Sequence, residues 1–190
     1  MFGSLFGKGK KKKPSGAPPD ETLRSAQVGD VVVISGFSQT FADAYFIIEK
    51  HNRYEAETGG WHELLSVDGD RHVGIEWSED RDGLFISVTE QDSPMGLSSI
   101  GIASDELIRL DEEHSIDNFV TYEGESYFYS NSHEIYYFND NRGEGEGFYG
   151  WDFVSENRNK MISVIKWEGM PFEVYVSEVV SSDLVSVYKK

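Results

Sequence analysis

The sequence predicts an all-β protein made of two similar small antiparallel β modules, meander- or barrel-like and packed together, behind a short mobile N-terminal tail. Three observations carry that expectation. The 190-residue chain holds ten Tyr, twelve Phe and four Trp, residues that suit half-buried pleated surfaces better than helix interiors. Its apolar residues fall in short runs separated by turn chemistry such as Asp68-Gly69, Asp82-Gly83 and Glu123-Gly124, and nowhere recur at helical spacing for three turns. Finally, Gly60-Trp61 is followed sixteen residues later by Trp77, and Gly150-Trp151 is followed at the same interval by Trp167.

Residues 1–19 read as a basic disordered tail rich in Lys, Gly and Pro, with too little apolar content to pack. The first module is assigned to 20–114. Asp20 is placed as the cap of a helical turn over Glu21 to Ala26, and strands follow at Val31–Ile34, Tyr45–Glu49, Trp61–Val67, His72–Trp77, Leu84–Thr89 and Leu107–Leu110. The second module, 115–190, carries strands at Phe119–Tyr122, Tyr127–Tyr129, Ile135–Phe138, Trp151–Val154, Met161–Trp167, Phe172–Ser177 and Leu184–Tyr188, with the Gly143–Gly147 run read as a turn.

A hairpin centred on Gly69 places Trp61 opposite Trp77, and one centred on Asn159 places Trp151 opposite Trp167, each with an odd-numbered loop. The four tryptophans are therefore expected in core or inter-lobe packing, with an aromatic ligand groove as the alternative.

Charge narrows the partners. The net charge is −17, yet five of the 17 basic residues lie in the first 13 positions, so the body carries 12 basic against 34 acidic residues. Such a body repels nucleic-acid phosphates, which excludes DNA and RNA as expected partners. In the tail Phe2, Leu5 and Phe6 precede Lys8, Lys10, Lys11, Lys12 and Lys13, the reverse of an export signal and the order of a segment that touches an anionic membrane or an acidic partner surface. With no cysteine, no disulfide or thiolate zinc site forms, and a cytoplasmic location is expected, peripheral to the inner membrane face if the tail binds.

No motif for chemistry stands out. His51, His62, His72, His114 and His133 lack metal-binding spacing, though His62 and His72 are placed to meet across a hairpin. Ser78-x-Asp80-x-Asp82-Gly83 departs from the calcium-loop pattern at its first position and at Thr89, the twelfth. Neither a nucleophile elbow nor a phosphate or dinucleotide loop is present. No cofactor, metal or catalytic residue is expected.

Gly29-Asp30 before a β-branched strand, Tyr45-Phe46-Ile47-Ile48, Gly60-Trp61-His62-Glu63-Leu64-Leu65 and Asp82-Gly83-Leu84-Phe85 together resemble the bacterial family called domain of unknown function 4178. Tyr122-Glu123-Gly124, Gly145-Glu146-Gly147 and Gly150-Trp151-Asp152 resemble its continuation, and Glu63 is the acid of the distinctive Trp-x-Glu step that the second half lacks. The resemblance implies a bacterial cytoplasmic protein associated with membrane-stress and membrane-remodelling functions, and carries over no catalytic residue. The expected role is a non-catalytic adaptor acting at a protein partner or membrane surface, with a membrane-remodelling protein as the implied partner. The alternative is a small-ligand-binding module using an aromatic groove between the two lobes.

Overall fold

A computed structural model describes residues 22–37, 43–79, 83–90 and 93–190. The tail residues Phe2, Leu5, Phe6, Lys8, Lys10, Lys11, Lys12 and Lys13 lie outside the described residues, as do Asp20, Asp80 and Asp82. The chain is all-β. Its strands are β1 (Val31–Ser35), β2 (Asp43–Ala56), β3 (Gly59–Asp68), β4 (Arg71–Glu79), β5 (Leu84–Thr89), β6 (Phe119–Tyr122), β7 (Glu125–Phe138), β8 (Glu146–Ser155), β9 (Lys160–Trp167), β10 (Phe172–Val179) and β11 (Val185–Tyr188).

All neighbours pair antiparallel in the order β11-β1-β2-β3-β4-β5-β10-β9-β8-β7-β6, and β2 also pairs with β7. That extra pairing closes eight strands, β2-β3-β4-β5-β10-β9-β8-β7, into a ring, which removes the edges of those strands. It is possible because β2 and β7 are each 14 residues long and each is bent by a bulge, at Glu49 and at Ser130. The extra residue breaks the ladder and turns the strand. The first part of β2 pairs with β1, and Arg53–Ala56 pairs with β7. β2 thus runs well beyond the expected Tyr45–Glu49, and β7 is one strand where two, Tyr127–Tyr129 and Ile135–Phe138, are expected; Ser130 to Glu134 between them is a polar stretch that remains strand.

Each half wraps its own apolar core. One contains Phe46, Ile48, Leu64, Ile75, Trp77 and Ile86, and the other contains Tyr127, Tyr129, Trp151, Phe153, Ile162 and Val164. Two elements cross the division expected at 114/115. β11 pairs with β1, putting Val187 in the first core, and Lys189 reaches the buried Asp30 carboxylate at 2.9 Å. The segment read as strand Leu107–Leu110 is a helix, α1 (Ser104–Glu113), whose Leu107 and Leu110 pack into the second core. Asp105 and Glu106 suit the positive end of its dipole, and Arg109 pairs with Glu106 and Glu113 one turn either way. The short apolar run hid that spacing. The helical turn near the start is a 3-10 turn at Leu23–Ser25, with Thr22 at its N-cap position.

The tryptophan pairing is also corrected. Asp68 pairs with Arg71, so the β3–β4 loop has two residues, with Gly69 at φ +62°, and His62 rather than Trp61 faces Trp77. In β8–β9, Trp151 faces Val164 while Trp167 faces Phe148. Each tryptophan pair is thereby split across the two faces of the sheet, because strand side chains alternate. Trp77 and Trp151 are 8% and 7% exposed in the two cores, whereas Trp61 and Trp167 are half-buried on the other face. Aligning the halves on their bulges sets Trp61 beside Phe148, not Trp151, and Glu63 beside Gly150.

Unfolding should follow one cooperative transition in calorimetry, because three strand pairings join the halves: β1 with β11, β5 with β10 and β2 with β7. Trp77→Ala or Trp151→Ala should cost about 3–5 kcal/mol by denaturant titration, the range for large aromatic truncation in a core. Trp61→Ala should cost clearly less.

Candidate functional site

Residues directly opposite in an antiparallel ladder share a face. Following the register round the ring, Tyr54, Trp61, Glu63 and Glu76 in the first half share one face with Phe148, Asp152, Ser163 and Tyr175 in the second. The two apolar cores occupy the opposite face. The shared face points into the ring, where two cavities of about 380 Å3 and 300 Å3 adjoin. Tyr54, Glu76, Ser163 and Ile165 line both. The larger cavity reaches Gly59 and Gly60 at the β2–β3 turn, and the smaller reaches Ser93 and Pro94.

Of the acids that line these cavities, Glu63, Glu76 and Asp152 are the ones whose burial raises their pKa. Glu63 and Glu76 are direct cross-strand partners on β3 and β4, a like-charged juxtaposition that opposes ionising both. Glu63 accepts hydrogen bonds from Asn52 Nδ2 at 2.8 Å and from the Tyr54 hydroxyl at 3.1 Å, yet burial still raises its pKa above the ordinary value. Glu76 accepts from the Trp61 indole, and burial, with Glu63 and Asp152 nearby, pushes it up to about 8. Asp152, on β8, accepts from Ser163 Oγ at 2.8 Å and lies near His133, and burial raises it as well. Burial and the adjacent Glu63 and Glu76 also raise the Tyr54 phenol, so it stays a donor. Each of the three acids nevertheless keeps part of its surface on the cavity side.

Aromatic rings form the wall beside them. Tyr54 stacks on Trp61 with centroids 5.1 Å apart and planes 10° from parallel. Phe148 meets Tyr54 edge-on and packs at 4.5 Å against Trp167. Two glycines make room: a Cβ at Gly74 would sit 3.3 Å from the Glu63 carboxylate, and one at Gly150 would sit 2.7 Å from Ile135 Cδ1. A short turn at Asn139–Asn141 latches over the seam, with Asp140 N donating to Asn52 Oδ1 at 3.1 Å and Arg53 Nε donating to Asn141 at 2.8 Å.

Of the residues singled out from sequence, Trp61, Trp167 and Glu63 meet at this barrel face, while Trp77 and Trp151 point away into the cores. His62 does not meet His72, which is paired with Val67; on the face opposite the barrel interior it stacks on Trp77 and contacts His51 at 3.0 Å. Glu76, Asp152 and Tyr54 were missed. The available signal was period two: Trp61-x-Glu63 and Gly74-x-Glu76 place polar groups on the face opposite an apolar one. Among the described residues no group of three or more His, Asp or Glu is arranged to hold a metal ion, and no helix is long and apolar enough to cross a membrane.

Glu76 gives the site a pH signature. Its folded-state pKa of about 8 lies above the ordinary 4.5, so between these values the folded chain holds a proton that the unfolded chain has released. Its contribution is therefore full below about pH 4.5 and is lost as pH rises to 8, at up to about 1.4 kcal/mol per unit. Denaturant titrations across pH 5–9 should show this decline, and Glu76→Gln should flatten it and raise stability at pH 9. Gly150→Ala should destabilise by about 1–3 kcal/mol, the usual cost of overpacking.

No curated protein and no solved structure matches the chain. The family described as Domain of unknown function (DUF4178) matches residues 35–182, from the last residue of β1 to the turn before β11. Because that match spans every strand of the closed ring, the chain belongs to the DUF4178 family.

Proposed function

We propose that this protein is a non-catalytic binding module that encloses a small ligand in the barrel between its two halves. The observation that carries this reading is the adjoining pair of cavities, whose size falls in the range of small-molecule sites and whose walls combine aromatic surface with a few converging polar groups. A packed barrel would fill such space with side chains. Here Gly74 and Gly150 keep it open, and buried carboxyl groups are retained at a cost to stability. Residues that break a local packing rule in this way are expected at functional sites.

The polar groups are asymmetric although the strands repeat. Glu63 and Trp61 of the first half have Gly150 and Phe148 as their bulge-aligned counterparts. One site per chain follows from that. The adaptor role expected from the sequence joins the acidic body, as the surface for a protein partner, to the basic tail, which lies outside the described residues.

A thermal-shift screen of the full chain against small metabolites should reveal compounds that raise the melting temperature. Ile165→Trp, which puts a larger ring where both cavities meet, should abolish those shifts while circular dichroism shows the β fold retained. Shifts that persist unchanged in the folded variant would place binding elsewhere.

A further inference from the structure

We propose that the ligand enclosed by the barrel is an organic ammonium ion, held between the aromatic wall and the Glu63, Glu76 and Asp152 carboxylates. This rests on the ligand-binding reading above and adds the chemical class.

The charge balance inside the barrel is one-sided. Among the described residues lining the two cavities, Glu63, Glu76, Glu79, Asp152 and Glu173 are acidic, and none is Lys or Arg. His133 is the one imidazole among them. Of the lining acids Glu79 already has a partner, Arg24, and other cations pair with acids outside the lining, Lys160 with Glu125 and Lys189 with Asp30, which leaves Glu63, Glu76 and Asp152 without a Lys or Arg counter-charge in the lining. Burying carboxylates without a counter-charge is costly, and the cost is relieved either by protonation or by a cation that arrives from solution.

The wall selects the kind of cation. The stacked Tyr54–Trp61 pair and the Phe148–Trp167 pair put electron-rich ring faces and apolar edges beside the acids. Such faces attract ammonium and methylated ammonium groups, most strongly where water is excluded. A hard inorganic cation would instead need several oxygen ligands converging on one point, and no described group of three or more His, Asp or Glu does so. A neutral polyol would leave the acids as costly as before.

Proton linkage follows. Binding requires Glu76 ionised, and the groups facing it are Glu63 from β3, Tyr54 from β2, Asp152 from β8 and His133 from β7, with Tyr175 and Glu173 on β10 bordering the smaller cavity. Since Glu76 holds its proton up to about pH 8, an entering cation displaces it, and affinity falls as pH drops below that value.

Isothermal titration of the full chain with choline and butylammonium, set against their neutral isosteres 3,3-dimethyl-1-butanol and butan-1-ol, tests the assignment. The ammonium compounds should bind at least tenfold more tightly than the isosteres. At pH 7, buffers of different ionisation enthalpy should report proton release, and the ammonium affinity should be higher at pH 9 than at pH 6. Glu76→Gln and, separately, Asp152→Asn should each weaken ammonium binding about tenfold or more while the circular dichroism spectrum is kept; unchanged affinity in both would overturn the proposal. Equal binding of the isosteres would overturn the charge assignment and leave the cavity as a ligand site. Displacement of the ammonium compounds by millimolar Mg2+ or Ca2+ would overturn it in favour of an inorganic cation. If none of the four compounds binds, the ammonium proposal falls, and a metabolite screen without a single shift would remove the ligand-binding reading with it.

Discussion

Everything inside this molecule depends on one short seam, the four residue pairs that join Arg53–Ala56 of β2 to Ile135–Phe138 of β7. Without it the eight strands form an open sheet and the face carrying Glu63, Glu76 and Asp152 is in water. The seam exists because bulges at Glu49 and Ser130 let two 14-residue strands leave one sheet direction and enter another. It is reinforced by side chains: the Tyr54 and Tyr137 rings meet across it, and Arg53 lies over the Phe138 ring at 3.9 Å. On the far side of the ring β5 and β10 share only three pairs, tied by a 2.7 Å hydroxyl contact between Thr89 and Ser177.

This arrangement separates stability from the candidate site. The two apolar cores lie outside the ring, one per half, and supply the burial that holds the fold. The ring interior is thereby released from carrying a core. It can hold carboxyl groups whose burial opposes folding, because that penalty of a few kcal/mol falls on a scaffold stabilised elsewhere. The indole N–H of Trp61 and the hydroxyls of Tyr54 and Ser163 then fix the acids in place. A fixed acid facing an open cavity is preorganised for a ligand, since no side-chain ordering remains to be done on binding.

Repetition and asymmetry coexist in the same way. The two halves run their strands in the same order, and the bulges fall at matching places. Where the halves meet, however, matching positions carry different chemistry, such as Glu63 against Gly150 or Leu65 against Asp152. A scaffold constraint acts on both copies and keeps the strand pattern. A single enclosed ligand acts on particular side chains and does not ask for them twice.

Much of the fold was legible in the residues. Val31–Ile34, Leu84–Thr89, Met161–Trp167 and Phe172–Ser177 declare themselves as strands by β-branching, aromatic content and flanking turns, and they stand as β1, β5, β9 and β10 with ends shifted by no more than two residues. Of the candidate site, Glu63 and Trp61 were marked by the Trp-x-Glu step. Register was not legible, because a one-residue change in a hairpin loop exchanges the two faces of a strand, and Gly69-Asp70 serves either loop length on paper. That exchange decided which tryptophans pack in the cores and which line the barrel. Nor could ring closure be read, since β2 and β7 meet across some 80 residues of chain and no local preference of Arg53–Ala56 names its partner. Local propensity, which is a property of neighbouring residues, determined that this protein is made of strands; the closure that brings Glu76 and Asp152 into one enclosed space is a long-range pairing, and only the tertiary structure decides it.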